Sequence, residues 1–322
     1  HADRYTYLPQ IGLLLAIGYG LRRLTQGFRA RLQMMTCVAL VAFLALGVAA
    51  WRQTQHWKNS HTLWTHAAAV TRENEVAENN LGILLQEEGK LDEAIAHYQR
   101  AVAIQTERGH SRYKLTLALS ENNLGNAFLR AGNIDQAIAH YRTAIDLRPD
   151  YADAFYDLAI GLSEAHDLDG AIESLRRAID IRADDAAAHA RLGDLLRQKH
   201  AHAEALVHYE KAVELQPTAI WAEESLAWLL ATAPDPSIRN GARALSIAQH
   251  TLELPGGQSG HTLRIVAAAC ATQGNFPEAT RTAERAIDLA SREGDVATLN
   301  SLRADLELYR ANIPLRELSP VQ

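Results

Sequence analysis

Asparagine recurs in pairs along this chain, as Asn79–Asn80 and Asn122–Asn123, with Asn126 three residues past the second pair. A carboxamide both donates and accepts, so a row of them can hold an extended peptide backbone whatever its side chains. That is binding chemistry, not bond-breaking chemistry. Near the start, Asp3 and Arg4 stand together. Such a pair can anchor a loop at a membrane surface by a salt bridge or by snorkelling. Fourteen histidines invite a metal reading. His56, His61 and His66 recur every five residues, which does not keep one helical face, and His200 and His202 sit in an expected turn without cysteine partners. No HExxH, GxSxG, P-loop or dinucleotide fingerprint occurs. Cys37 and Cys270 are too far apart in sequence to suggest a disulfide framework or a cysteine-based zinc site. The residues therefore point to no catalytic constellation, no metal and no cofactor.

Composition narrows the class. The chain has 322 residues, 48% of them hydrophobic, which is too apolar for disorder. A net charge of -6 argues against a dedicated nucleic-acid binder. The charge is uneven. Residues 1–60 hold one acid, Asp3, against Arg4, Arg22, Arg23, Arg29, Arg31, Arg52 and Lys58. The acidic excess therefore lies entirely in the remainder, which suggests two physical environments. From Gln33 to Trp51 there are 19 residues without a charge. As a helix they span about 28 Å, close to the hydrocarbon thickness of a bilayer, with Trp51 at the interface. Tyr5–Leu21 is also uncharged, though Gln10 and several glycines weaken it. The expectation is a transmembrane hairpin over 8–53. Its spans would be 8–21 and 33–51, its arginine-rich loop 22–32 cytoplasmic by the positive-inside rule, and residues 1–7 exoplasmic. Everything beyond the second span would then lie outside the cytoplasm. The chain begins at His1, and it reads as the C-terminal piece of a longer protein.

Beyond Trp57 the sequence repeats itself. NNLGILLQEEGKLDEAIAHYQRAVAI (79–104) returns as NNLGNAFLRAGNIDQAIAHYRTAIDLRP (122–149), YDLAIGLSEAHDLDGAIESLRRAIDIRA (156–183) and ARLGDLLRQKHAHAEALVHYEKAVELQP (190–217). Leu124, Leu158 and Leu192 fall 34 residues apart, as do Ala137, Ala171 and Ala205. A 34-residue helix-turn-helix period resembles the tetratricopeptide (TPR) family. Gly82, Gly125, Ala159 and Gly193 are small where helix A of a repeat would cross helix B. Tyr98, Tyr141, Leu175 and Tyr209 would fill the space beside them, and Gly89 and Gly132 would end helix A. The fold expected is all-α: the membrane hairpin followed by a right-handed TPR α-solenoid. A connector occupies 54–74, six TPR-like repeats 75–290, and a capping helix with its tail 291–322. The insert TERGHSRYKLTLAL should lengthen the helices around it, and the fifth repeat should carry a longer turn at Pro234 and Pro236.

The TPR resemblance implies a concave groove lined by helix A residues. Here these are Asn79, Asn80, Gln86, Asn122, Asn123, Asn126, Arg130, Tyr156, Asp157, Arg191, Asp194 and Arg197. The asparagines resemble the peptide-holding ladder of protein O-GlcNAc transferase, incompletely, because Asp157, Arg191 and Ser225 replace Asn farther along. The opening DRYTYLP resembles an exoplasmic loop motif of GT-C-type glycosyltransferases, some of which carry TPRs after their last span, as transmembrane TPR O-mannosyltransferases do. That resemblance implies a polyprenyl-phosphate-linked sugar near Asp3 and Arg4 in an intact protein. It also implies an array that recruits polypeptide acceptors. The rival reading is a membrane-anchored TPR scaffold for a cell-envelope complex, without transferase activity.

Overall fold

The computed structural model describes residues 29–317, together with Ala16 and Tyr19. Fifteen helices and no strand occur among the described residues. The chain divides into two compact units, 1–84 and 85–322. The first unit contains α1 (Arg29–Gln55), α2 (Ser60–Val70) and most of α3 (Glu75–Glu87). Within α1, Gln33–Gln55 is long and apolar enough to cross a bilayer, and none of its most apolar window is buried against protein. It exposes Val41, Phe43, Leu44 and Trp51. It is one candidate span. The other expected span, 8–21, lies outside the described residues except for Ala16 and Tyr19, so the hairpin rests on sequence alone. Asn59 caps α2 by accepting from the Thr62 amide at 2.9 Å while Thr62 answers the Asn59 amide. The expected connector is thus one helix joined to α1 by a short turn.

The second unit is a stack of helix pairs. After α3 come α4 (Leu91–Glu107), α5 (His110–Arg130), α6 (Ile134–Leu147), α7 (Ala152–Glu164), α8 (Leu168–Ile181), α9 (Ala186–Gln198), α10 (His202–Leu215), α11 (Ile220–Thr232), α12 (Gly241–Glu253), α13 (Gly260–Thr272), α14 (Phe276–Glu293) and α15 (Val296–Arg310). From α4 onward each helix packs on the next, and α5 also meets α7, α9 meets α11, α11 meets α13 and α13 meets α15. The odd helices are therefore the A helices, side by side in one layer, with the B helices behind them. The insert lengthens α4 and α5 to 17 and 21 residues, and the turn holding Pro234 and Pro236 separates α11 from α12.

One turn closes the A helices, and glycine is not always its residue. Gly132 has φ +79°, with the Asn133 amide donating to Phe128 O at 2.9 Å. His166 and His200 occupy the same place one and two repeats later, at φ +62° and +59°. Their partners are equivalent: Asp167 to Leu162 O and Ala201 to Leu196 O, both 2.8 Å. These are the left-handed caps of helix C-termini, which histidine tolerates better than most side chains. The sequence places His200 in a turn without metal-ligand partners, and the structure gives it this backbone role.

Helix A meets helix B through a missing side chain. A Cβ on Gly125 would lie 2.6 Å from the Tyr141 ring, and one on Gly193 would lie 2.7 Å from the Tyr209 ring. Both rings are fully buried. Where the third repeat has Ala159 instead, the facing residue is Leu175. Gly193→Ala should therefore destabilise the array. Alanine gains about 1 kcal/mol of helix propensity, but forcing the buried Tyr209 ring aside costs about 1–3 kcal/mol. Urea unfolding of the variant should show a lower midpoint; an unchanged or raised midpoint would show that the ring moves freely.

Candidate functional site

The expected groove residues lie on the A helices. Asn79 and Asn80 are on α3 in the first unit, where the Asn80 amide donates to Val76 O of its own helix at 2.7 Å. In the second unit, Gln86 closes α3 and accepts from the Tyr98 hydroxyl at 3.1 Å. Asn122, Asn123, Asn126 and Arg130 are on α5, Tyr156 and Asp157 on α7, and Arg191, Asp194 and Arg197 on α9. Asp3 and Arg4 lie outside the described residues.

The second asparagine cluster faces its neighbouring repeat. Asn122 is only 3% exposed and donates to Asp157 Oδ2 at 2.7 Å. Asn126 donates to the same oxygen at 3.0 Å and accepts from the Tyr141 hydroxyl at 2.6 Å. Burial pushes the Asp157 carboxyl above its ordinary value, against the two amide hydrogen bonds that favour its charged form. These amides clamp α5 to α7. The same geometry returns two repeats later, where the Tyr209 hydroxyl donates to Asp194 Oδ1 at 2.7 Å. There the last turn of α9 adds Arg197, whose Nε reaches the same hydroxyl at 3.3 Å.

A cleft of about 430 Å³ opens on this side of the array. Its walls come from α9 (Asp194, Arg197), α11 (Trp221, Glu224, Trp228) and α13 (His261, Arg264), with Tyr209 behind them. Three successive A helices thus contribute. Arg264 lies over the Trp228 ring at 4.6 Å, and the His261 ring stacks with it at 6.4 Å between centroids. Trp228 falls at the same repeat position as Asn126 and Asp194. An aromatic at a groove position was a visible signal that attention to amides passed over. Arg264 corresponds to Asn122, but the longer turn before α12 shifts the count and hides it.

Among the described residues no group of histidines, cysteines and carboxylates is arranged to hold a metal ion. His56 and His66 do meet, with rings stacked at 3.7 Å, because the turn between α1 and α2 breaks the single helix on which their spacing was judged.

Residues 73–150 match one family model described as tetratricopeptide repeat, and 122–185 and 156–220 match a second of the same description. The chain carries tetratricopeptide repeats. The chain is similar in sequence to protein O-mannosyl-transferase Tmtc3 of Drosophila melanogaster, 30% identical over 107 residues, which is 33% of this chain and 12% of that protein. Tmtc2 of the same organism is 27% identical over 101 residues, 31% of this chain and 11% of the relative. The chain thus spans only about a tenth of the length of these relatives. Among solved structures, the Cut9–Hcn1 hetero-tetramer of the APC/C superposes with a TM-score of 0.59, over 78% of this chain and 46% of that one, at 14% identity. That likeness is one of fold. A TPR array of this kind is suited to protein–protein interaction.

The Asp157 clamp makes a pH prediction. Its folded pKa is raised, so the stability it contributes is present below the unfolded value and is lost as pH rises through the folded one. Asp157→Asn keeps an acceptor for Asn122 and Asn126 and cannot ionise. Thermal unfolding of both proteins from about pH 3 to about pH 7 should show the variant gaining on the wild type as pH rises. A difference that stays constant with pH would refute the assignment.

Proposed function

We propose that this chain is a membrane-tethered TPR array that recruits extended polypeptides on the non-cytoplasmic side for an O-mannosyltransferase-like protein. The observation that carries the binding part is the cleft shared by α9, α11 and α13, which sets two tryptophans beside arginines and acids. Aromatic and arginine side chains of this kind dominate the energetics of protein recognition. The O-mannosyltransferase part is supported by the Tmtc similarity over about a third of the chain. Tethering is supported by α1, with its apolar surface bare of protein contacts. The non-cytoplasmic side is supported by the arginines at 22–31, which the positive-inside rule favours on the cytoplasmic side. No bond chemistry is assigned to the chain; its part is to hold the acceptor.

Two experiments test this. The full chain in detergent should bind members of a library of unstructured acceptor-derived peptides, and Trp228→Ala should weaken that binding about tenfold or more, as loss of an aromatic anchor does. Equal titrations for the two proteins would remove the cleft from the reading. For topology, Asp150 is well exposed on the array. With Cys37 replaced by alanine, Asp150→Cys should react with a membrane-impermeant thiol reagent in intact cells. Reaction only after lysis would place the array in the cytoplasm and end the transferase analogy.

A further inference from the structure

After α15 the chain turns at Asn312, φ +57°, and runs as an irregular segment through Glu317. This segment comes back across the A helices. Leu315 packs against the apolar cluster built by α11, α12, α13, α14 and α15. Arg316 donates to Thr272 Oγ1, at the end of α13, at 2.9 Å. The Glu317 amide donates to Thr232 O at 3.0 Å, satisfying a carbonyl in the last turn of α11. The Glu317 carboxylate accepts from Arg197 Nη1 at 2.7 Å and from Trp228 Nε1 at 2.9 Å on the same oxygen. Three successive residues therefore engage an apolar cluster, a hydroxyl and a cation in turn. This is how an extended peptide ligand engages a groove.

The charges around the cleft show what is distinctive about Glu317. Asp194 is bound to Tyr209, Glu224 to Thr262 at 2.7 Å, and Arg264 to Asp305 at 2.6 Å, all within the array. Arg197 instead takes its carboxylate from the tail. His202 stands 3.8 Å from the other Glu317 oxygen. Burial keeps this histidine's pKa below the ordinary value, so at neutral pH it is an uncharged neighbour. A charge-assisted bond from arginine, reinforced by an indole N–H, selects a carboxylate over a neutral group.

We infer that the edge of the cleft recognises an acidic residue of an extended peptide at Arg197 and Trp228, and that Glu317 of the chain's own segment 312–317 is the resident occupant of that subsite. This deepens the recruiting function proposed above and rests on it. The tail is joined to the array, so it acts at an effective concentration in the millimolar range. An incoming polypeptide must bring its own carboxylate to Arg197 and add contacts over Trp221 and His261 to displace it. The tail thus sets an affinity threshold for partners.

The test uses the full chain in detergent and a fluorescent peptide of residues 311–322 added in trans. The double substitution Leu315→Ala with Glu317→Ala removes the apolar and ionic anchors of the resident tail and touches no helix. This variant should bind the peptide at least about tenfold more tightly than wild type. Hydrogen exchange across 312–317 should accelerate in it. A probe peptide with Glu317→Gln, or Arg197→Ala added to the variant, should each abolish the gain. Equal peptide affinity for wild type and variant, or equal binding of the Glu and Gln peptides, would overturn the inference. If the variant ignores the tail peptide yet binds library peptides through Trp228, the tail inference fails and the recruiting function stands. If it binds neither, both fall.

Discussion

The Tyr209 ring lies where a methyl group on Gly193 would have to be. That close approach, repeated at Gly125 and Tyr141, brings the two helices of a hairpin near enough for the tyrosine to pass between them and show its hydroxyl on the far side. Much else follows from it. The hydroxyl fixes Asn126 in one repeat and Asp194 in another, so side chains that line the A-helix layer are held in place from behind. A single hairpin cannot bury both its faces, and the stack supplies the missing neighbour at each step. The repeat that substitutes Ala159 and Leu175 keeps the apolar fit and gives up the hydroxyl.

The same helix layer is used in two ways along its length. At α5 and α7 the polar residues bind one another: Asn122 and Asn126 converge on Asp157, and the cost of burying a carboxylate is offset by amide donors. At α9, α11 and α13 large aromatic and cationic side chains leave a cleft, and its polar edge is completed by a segment from the end of the chain. Helix α15 buries Leu302, Leu306 and Tyr309 against the preceding pair. It also aims the following residues back toward the groove. Packing on that pair and placing segment 312–317 are thus two results of one helix.

How much of this was legible in the sequence differs from feature to feature. The 34-residue period, the small residues at 125 and 193 and the tyrosines facing them are local in sequence and repeat, so spacing exposes them. The lengthened α4 and α5 followed from an insert without proline. The asparagine pairs and Asn126 were visible too. Their partner was not visible, because Asp157 lies 35 residues from Asn122 and nothing in either residue says which amide faces a neighbour and which faces a ligand. The stacked His56 and His66 were missed for a related reason: a helix break between them changes which residues share a surface.

The sequence by itself determined the repeat, the all-α class, the helix boundaries set by glycine and proline, and an apolar segment of membrane-spanning length. Each depends on propensity or periodicity within a few tens of residues, where chain connectivity limits the possible neighbours. Only the tertiary structure decided where the groove chemistry is concentrated. Arg197 and Glu317 are 120 residues apart, and Trp228 and Glu317 are 89 apart. Their meeting depends on the summed placement of every intervening hairpin and on the direction in which α15 releases the chain. Separations of that length carry no periodic signal, so the packed stack, not the pattern of residues, brings the carboxylate to the arginine.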